Sequence, residues 1–139
     1  MSQPRDLAIL AQTGTHDRLH AMVSLTSSAV AVGRGVYILL THAALRAFLH
    51  DELDESSPGF GSADPYQAFY EEALELERLP SLHKLFQDAR TKGKVRVFGC
   101  QASVALWRRY SPEQLDKLDA IIGHATFLKI TTDMQLVFI

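Results

Sequence analysis

Five short apolar runs, separated by longer amphipathic stretches, dominate the hydrophobic pattern of the chain. The run Val36–Leu40 is apolar throughout, which is typical of a parallel strand covered on both faces. Arg96 interrupts the third run, so this strand is expected to lie near an edge or to be partly exposed. The predicted strands are Leu7–Ala11, Val36–Leu40, 95–99, Ala120–Ile122 and 136–139.

Helical patterns fill the intervals between these runs. An apolar stripe that begins at Leu19 is closed by Gly33 in the C′ position, and Pro80 is expected in the first turn of a helix that ends at Gly93. Ser111 opens a capping box with proline at the first helical position. Strands that alternate with helices predict parallel pairing through right-handed crossovers. The predicted fold class is therefore α/β, a three-layer α/β/α sandwich around a five-stranded, mainly parallel sheet.

The length and composition indicate one globular domain over residues 1–139. Hydrophobic residues make up 47% of the 139 residues, as in ordinary folded proteins. Residues 51–65 are acidic and rich in Ser, Gly and Pro, so they are expected to form a surface loop. The pattern from 66 to 79 predicts a solvated helix behind this lid-like loop.

Charge and cysteine content exclude several classes of partner. A net charge of −2 gives no electrostatic reason to expect nucleic acid or an anionic membrane. No apolar run approaches the roughly 18 residues of a membrane span, and the N-terminus lacks the apolar core of a signal peptide. One cysteine cannot form an internal disulfide, which favours a reducing compartment and hence the cytoplasm.

The single cysteine, Cys100, is placed where the third strand passes into the following helix. A thiol at a helix N-terminus meets the positive end of the helix dipole, which favours the thiolate. Gly99 lets the chain turn tightly, and Ser103 could offer its hydroxyl to the same pocket or cap the turn. Position alone favours a reactive thiol no more than an inert one, because free cysteine is among the most buried residue types.

Three histidines, His16, His42 and His124, each follow a predicted strand and are expected to surround Cys100. There they would raise its thiolate fraction or relay protons. The chain has no CxxC or HxH pair, so neither a metal nor another cofactor is predicted.

The carboxyl ends of the strands are expected to bind ligands, as they do in open parallel sheets. The loop from Thr13 to Thr15 is similar to a phosphate-cradling turn but carries neither GxGxxG nor GxxxxGK[ST], so helix capping is the favoured explanation. The predicted ligand-binding positions at this edge are Thr13, Gly14, Thr15, Thr41, Gly99 and Gln101.

The order and spacing of these motifs resemble the DsrE/DsrF-like family, sometimes labelled peroxiredoxin-like, of small sulfur-handling α/β domains. The most telling part is the strand and turn of residues 95–103 around Cys100. The other similar segments, which together span nearly the whole chain, are 7–10, the small-residue helix 27–33, the strand 36–41 that ends in a threonine, 122–127 and 134–139.

The resemblance implies that Cys100 carries sulfur as a persulfide and exchanges it with a partner protein, as a sulfurtransferase or a sulfur carrier. It also implies a homo-oligomer, a trimer or hexamer, and exchange with a small TusA-type carrier. Two features depart from the family. A second cysteine is missing, so Cys100 must resolve with another molecule, and the acidic loop 51–65 can change access to the thiol.

Two other functions are compatible with the same residues. One is a non-catalytic oligomeric module of this fold that binds a nucleotide or small anion at the strand ends. The other is a thiol peroxidase, which is weaker because nothing in the sequence places an arginine, such as Arg18 or Arg46, beside Cys100.

Overall fold

Five parallel strands form one sheet in the computed structural model, which describes residues 4–55, 59 and 64–139. They are β1 (Leu7–Ala11), β2 (Val36–Leu40), β3 (Val95–Cys100), β4 (Ala120–Ile122) and β5 (Gln135–Phe138). Their order across the sheet is β4-β3-β2-β1-β5. The predicted strands and the α/β sandwich are confirmed, with β3 one residue longer than expected and β5 shifted back by one residue.

Seven helices connect the strands within the described residues. They are α1 (His16–Ala31), α2 (His42–Leu49), α3 (Pro65–Glu75), α4 (Leu82–Lys92), α5 (Gln101–Trp107), α6 (Pro112–Leu115) and α7 (His124–Ile130). Gly33 follows the C-cap of α1 with a φ of 82°, the left-handed geometry that the pattern predicted. The capping box at Ser111 is also present, since its hydroxyl accepts from Gln114 N and Gln114 caps it in return.

One local prediction is wrong. Pro80 does not lie in the first turn of α4, because Ser81 is the N-cap and the helix begins at Leu82. The prediction for the strand with Arg96 is confirmed, since β3 lies next to the edge strand β4. Only residues 98–100 of β3 pair with the short β4, so Arg96 is exposed and reaches Asp119 at 3.8 Å.

Side chains on the two faces of the sheet are covered to very different extents. Helices α1, α2 and α4 pack on one face, which we call the covered face, and bury the main core, including Ile38, Leu45 and Phe86. Helix α7 lies on the other face, called the open face here, and contributes one buried residue, Phe127. The open face therefore carries only a small second cluster.

Large apolar side chains remain exposed on and beside the open face. The register with β1 sets Leu136 opposite Ala8 and Phe138 opposite Leu10, on the same face as the small cluster. Leu136 is 52% exposed and Phe138 is 65% exposed. This is an apolar surface that the described part of the chain does not cover.

The acidic loop is described only in part: residues 56–58 and 60–63 lie outside the described residues. It ends at Asp64, whose carboxylate accepts from Tyr66 N and caps α3. Helix α3 is shorter than the predicted 66–79 pattern and has no buried residue, which agrees with a solvated helix.

Candidate functional site

Cys100 is the last residue of β3 and the N-cap of α5, as the pattern predicted. It belongs to the open-face cluster, where its neighbours include Leu39, Phe98 and Phe127. Its side chain is only 2% exposed. The thiol therefore lies just inside an apolar layer, at the edge of the sheet where ligands bind in this class of fold.

His124 lies beside this thiol, and the strand pairing explains why. Cys100 pairs with Ile122 on β4, and Gly123 then leads into α7, whose first residue is His124. The Cys100 Sγ and His124 Nδ1 atoms are 3.9 Å apart. Because the histidine is exposed and the cysteine is not, the imidazole connects the buried sulfur to solvent and can accept its proton.

The side chain of Ser103 contacts the backbone of His42. The Ser103 side chain is 1% exposed, and its hydroxyl accepts a 2.9 Å hydrogen bond from the N–H of His42. This bond ties α5 to the start of α2, where His42 has a φ of 45° and an exposed side chain. Ser103 therefore joins the ends of two neighbouring strands.

The predicted ligand-binding positions around Cys100 have structural partners of their own. Thr41 is buried, and its hydroxyl donates to the carbonyl oxygen of Ala11. A Cβ at Gly99 would come within 2.6 Å of Leu118 Cδ1, so close packing explains this glycine. Gln101 is exposed at the start of α5.

The loop from Thr13 to Thr15 also packs closely against protein. A Cβ at Gly14 would lie 2.6 Å from the Ala43 carbonyl oxygen, so this glycine is needed for the contact with α2. The Thr15 hydroxyl donates to the Asp17 carboxylate, and that carboxylate also accepts from Arg18 N at the start of α1. The Asp17 carboxylate places a negative charge in the first turn of α1, so this loop lends little support to an anion site.

His16, the first residue of α1, forms a separate cluster with Tyr70 and His20. It is 2% exposed, and a 2.8 Å hydrogen bond joins its Nδ1 to the Tyr70 hydroxyl of α3. Burial lowers the pKa of His16 below its ordinary 6.5, and His20 lowers it further, while Asp54 and Asp17 oppose this. Burial likewise raises the pKa of Tyr70, with smaller contributions from Asp17 and Tyr66.

A cavity of about 420 Å³ adjoins His16, and Asp54 lies in its wall. The Asp54 carboxylate accepts from the Ser81 hydroxyl and from the backbone N–H groups of Leu82 and His83, so it caps α4 from a distant loop. Burial alone would raise the pKa of Asp54, but these hydrogen bonds, with a smaller contribution from His16, lower it overall. Sequence reasoning missed this residue because it is one of several acids in the loop.

Three further observations bear on other classes of site. Within residues 4–55, 59 and 64–139, no group of three or more His, Cys, Asp or Glu side chains is arranged to hold a metal ion. Over the same residues, every helix is too short or too polar to cross a membrane. Arg46 forms an ion pair with Glu52 at 3.3 Å, and Arg18 is exposed on α1.

Comparison with known proteins confirms the fold. No family model matches the chain, and no curated protein matches it. Among solved structures, the chain is similar to a protein of unknown function from Methanobacterium thermoautotrophicum. The TM-score is 0.56 at 8% sequence identity, over 97% of this chain and 99% of that one. This similarity extends over the whole sheet and its helices and concerns the fold alone.

Proposed function

We propose that this protein is a sulfur-relay protein that carries sulfur as a persulfide on Cys100. The observation that carries the proposal is the Cys100–His124 pair, in which a buried thiol lies 3.9 Å from an exposed imidazole at the ligand-binding edge of the sheet. The resemblance of residues 95–103 to the cysteine turn of DsrE/DsrF-like proteins supports the same conclusion.

The chemistry is a transfer of one sulfur atom without net oxidation. His124 accepts the thiol proton, and the Cys100 thiolate attacks the outer sulfur of a donor persulfide. An S–S bond forms on Cys100 while the donor's S–S bond breaks, and the donor leaves as a thiolate that takes up the proton. In the second half of the cycle an acceptor thiolate attacks the outer sulfur, and Cys100 leaves as a thiolate. The absence of a second cysteine fits a carrier that resolves with another molecule.

A donor reaches Cys100 only when the side chains around it move, because the sulfur is 2% exposed. In this proposal His124 acts as the proton acceptor, with its Nδ1 atom 3.9 Å from the sulfur.

The direct test is mass spectrometry of the intact protein after treatment with inorganic polysulfide. We expect mass gains in steps of about 32 Da, one sulfur atom each, that dithiothreitol reverses. Cys100→Ser should show none, and His124→Asn should react more slowly than the matched surface variant His83→Asn. A wild-type thiol that stays unmodified, or that reacts no faster than glutathione, contradicts the proposal.

The burial of Cys100 favours one alternative, a non-catalytic module of the same fold that binds a nucleotide or small anion at the strand ends. In that case AMP or inorganic phosphate raises the thermal midpoint of the protein, and Thr13→Ala reduces the effect. Cys100→Ser leaves it unchanged. Stabilisation by these ligands, together with an unreactive Cys100, would support this alternative and contradict sulfur relay.

We also propose that copies of the chain assemble through the open face, in the cytoplasm, and pass sulfur to a small TusA-type carrier. The exposed side chains of Leu136 and Phe138 support assembly, because a second copy would bury them beside the Cys100 cluster. Sedimentation equilibrium tests it: a trimer or hexamer is expected, and Phe138→Lys should dissociate it. A monomer at all concentrations contradicts the assembly but leaves the persulfide test unaffected.

A further inference from the structure

A basic and aromatic groove lies at the far end of α5 from Cys100. Its volume is about 590 Å³. Six residues from α2 and from the end of α5 onwards line it: Arg46, His50, Leu106, Trp107, Arg109 and Tyr110. Neither the sulfur chemistry nor the open face uses any of them.

The turn after α5 builds this groove. Arg108 ends the helix in the left-handed region, with a φ of 47°, and so reverses the chain. The reversal brings Tyr110 back towards α2, where its ring lies 5.8 Å from that of His50. Gln114 of α6 also contacts His50, at 3.3 Å between Nε2 and Nδ1. The wall is thus fixed by contacts among three helices.

The lining combines exposed apolar surface with positive charge that is only partly neutralised. Leu106 is 66% exposed and Trp107 is 43% exposed. Arg109 forms no ion pair with any described residue, and Arg46 pairs with the exposed carboxylate of Glu52 at 3.3 Å. Tryptophan, tyrosine and arginine are the residues that dominate binding energy in protein interfaces.

The charge of the groove decides what kind of partner fits it. In a symmetric contact with a second copy the same patch would face itself and bring arginines together, which is repulsive. A nucleic-acid strand carries a charge at every phosphate and needs a continuous run of basic side chains, whereas two arginines line this groove in a chain of net charge −2. A short protein segment needs only a few carboxylates for the two arginines and an apolar anchor for Leu106 and Trp107.

We propose that this groove binds an acidic segment of a partner protein. Its carboxylates pair with Arg46 and Arg109, and its apolar anchor packs on Leu106 and Trp107. Helix α5 has seven residues, so at the usual rise per residue the groove lies about 10 Å from Cys100. That the bound partner is the sulfur acceptor rests on the proposed function; the binding itself does not.

Trp107 provides the readout, because it is the only tryptophan in the chain. We suggest titrating the protein with a synthetic peptide of glutamates interspersed with leucine and phenylalanine. The expected result is a saturable change in Trp107 fluorescence that weakens with added salt. A matched peptide with lysine in place of glutamate should cause none.

Charge-reversal variants test whether the acidic peptide binds in this groove. The double variant Arg46→Glu, Arg109→Glu should bind the acidic peptide about tenfold more weakly, or weaker still. The control Arg18→Glu, a surface change on α1, should keep affinity within about twofold. Leu106→Ala should also weaken binding of the peptide, without changing the charge of the groove. Folding does not need this side chain, because it is 66% exposed.

Several outcomes overturn the proposal. These are no fluorescence change with the acidic peptide, equal binding of the lysine peptide, tighter binding of single-stranded poly(U), or self-association of the protein that Arg109→Glu abolishes. Cys100→Ser should bind the peptide as the wild type does. Peptide binding that survives while persulfide formation fails therefore rejects sulfur relay alone, and the converse result rejects the groove alone.

Discussion

The two faces of the sheet differ in what holds them together. The covered face packs under three helices and buries Phe86 and Leu45 almost completely, whereas the open face has one helix and leaves Phe138 65% exposed. Cys100 belongs to the weaker of the two clusters. The covered face therefore supplies most of the stability, and the open face is the one that the proposed chemistry and assembly would use.

The largest expected effect is the loss of a covered-face aromatic. Phe86→Ala should lower the free energy of unfolding by about 3–5 kcal/mol, because it removes a fully buried ring from the core. The matched variant Phe138→Ala on the open face should cost less than about 1 kcal/mol in the monomer. Urea unfolding of dilute protein measures both. Equal costs would mean that the two faces do not differ.

The glycines that precede a helix on each face provide a second comparison. Gly14→Ala should cost about 1–3 kcal/mol, because its Cβ would lie 2.6 Å from the backbone oxygen of Ala43. Gly123, before α7, has open space around its Cβ position and extended backbone. Gly123→Ala should therefore be neutral or stabilise by up to about 1 kcal/mol. Thermal unfolding of both variants is the measurement, and a reversed order contradicts the packing described.

Helix α4 on the covered face has side-chain caps at its start, whereas helix α7 on the open face has none. Asp54→Ala should cost about 1–2 kcal/mol, since it removes the acceptor for three donors at the start of α4. Asp54→Asn keeps one acceptor oxygen and should cost less. Helix α7 has no side-chain cap to lose. Hydrogen exchange of the first amides of α4 would show the local effect, and unchanged protection in Asp54→Ala would contradict it.

The smallest expected effect is a pH dependence from His16. Its pKa is lowered in the folded protein, so below pH 6.5 the unfolded chain binds the proton first. Stability should therefore fall as the pH decreases from 6.5 towards the lowered pKa, and should not change through this group above 6.5. His16→Gln should show a shallower dependence in the same interval. Parallel unfolding curves for the two proteins across this range would contradict the lowered pKa.

The strands and their common edge were predictable because buried parallel strands are short apolar runs between helical patterns. The junction at Cys100 and the proximity of His124 follow from the same pattern, since adjacent strands bring their carboxyl ends together. His16 was expected beside Cys100 as well, but its helix packs on the covered face. Sequence periodicity places a residue at an edge and does not say on which side of the sheet the next helix crosses.

The contacts that could not be predicted from the sequence join residues that are far apart along the chain. Asp54 reaches the start of α4 from a loop whose several acids are alike in composition. Tyr70 meets His16 across 54 positions. The groove by Trp107 depends on the left-handed geometry of Arg108. This geometry could not be predicted from the sequence, because residues other than glycine rarely adopt it. Each depends on tertiary packing rather than on local pattern.

The pairing of β1 with β5 has a consequence for how the chain is made. It joins residues 7–10 to residues 135–138, and β5 must cross the whole sheet from β4 to reach its place. On the ribosome the outer edge of β1 therefore stays unpaired until nearly all of these residues have emerged. During that interval the edge can pair with another nascent chain, so the pairing of β1 with β5 is the step of sheet formation most exposed to misassembly.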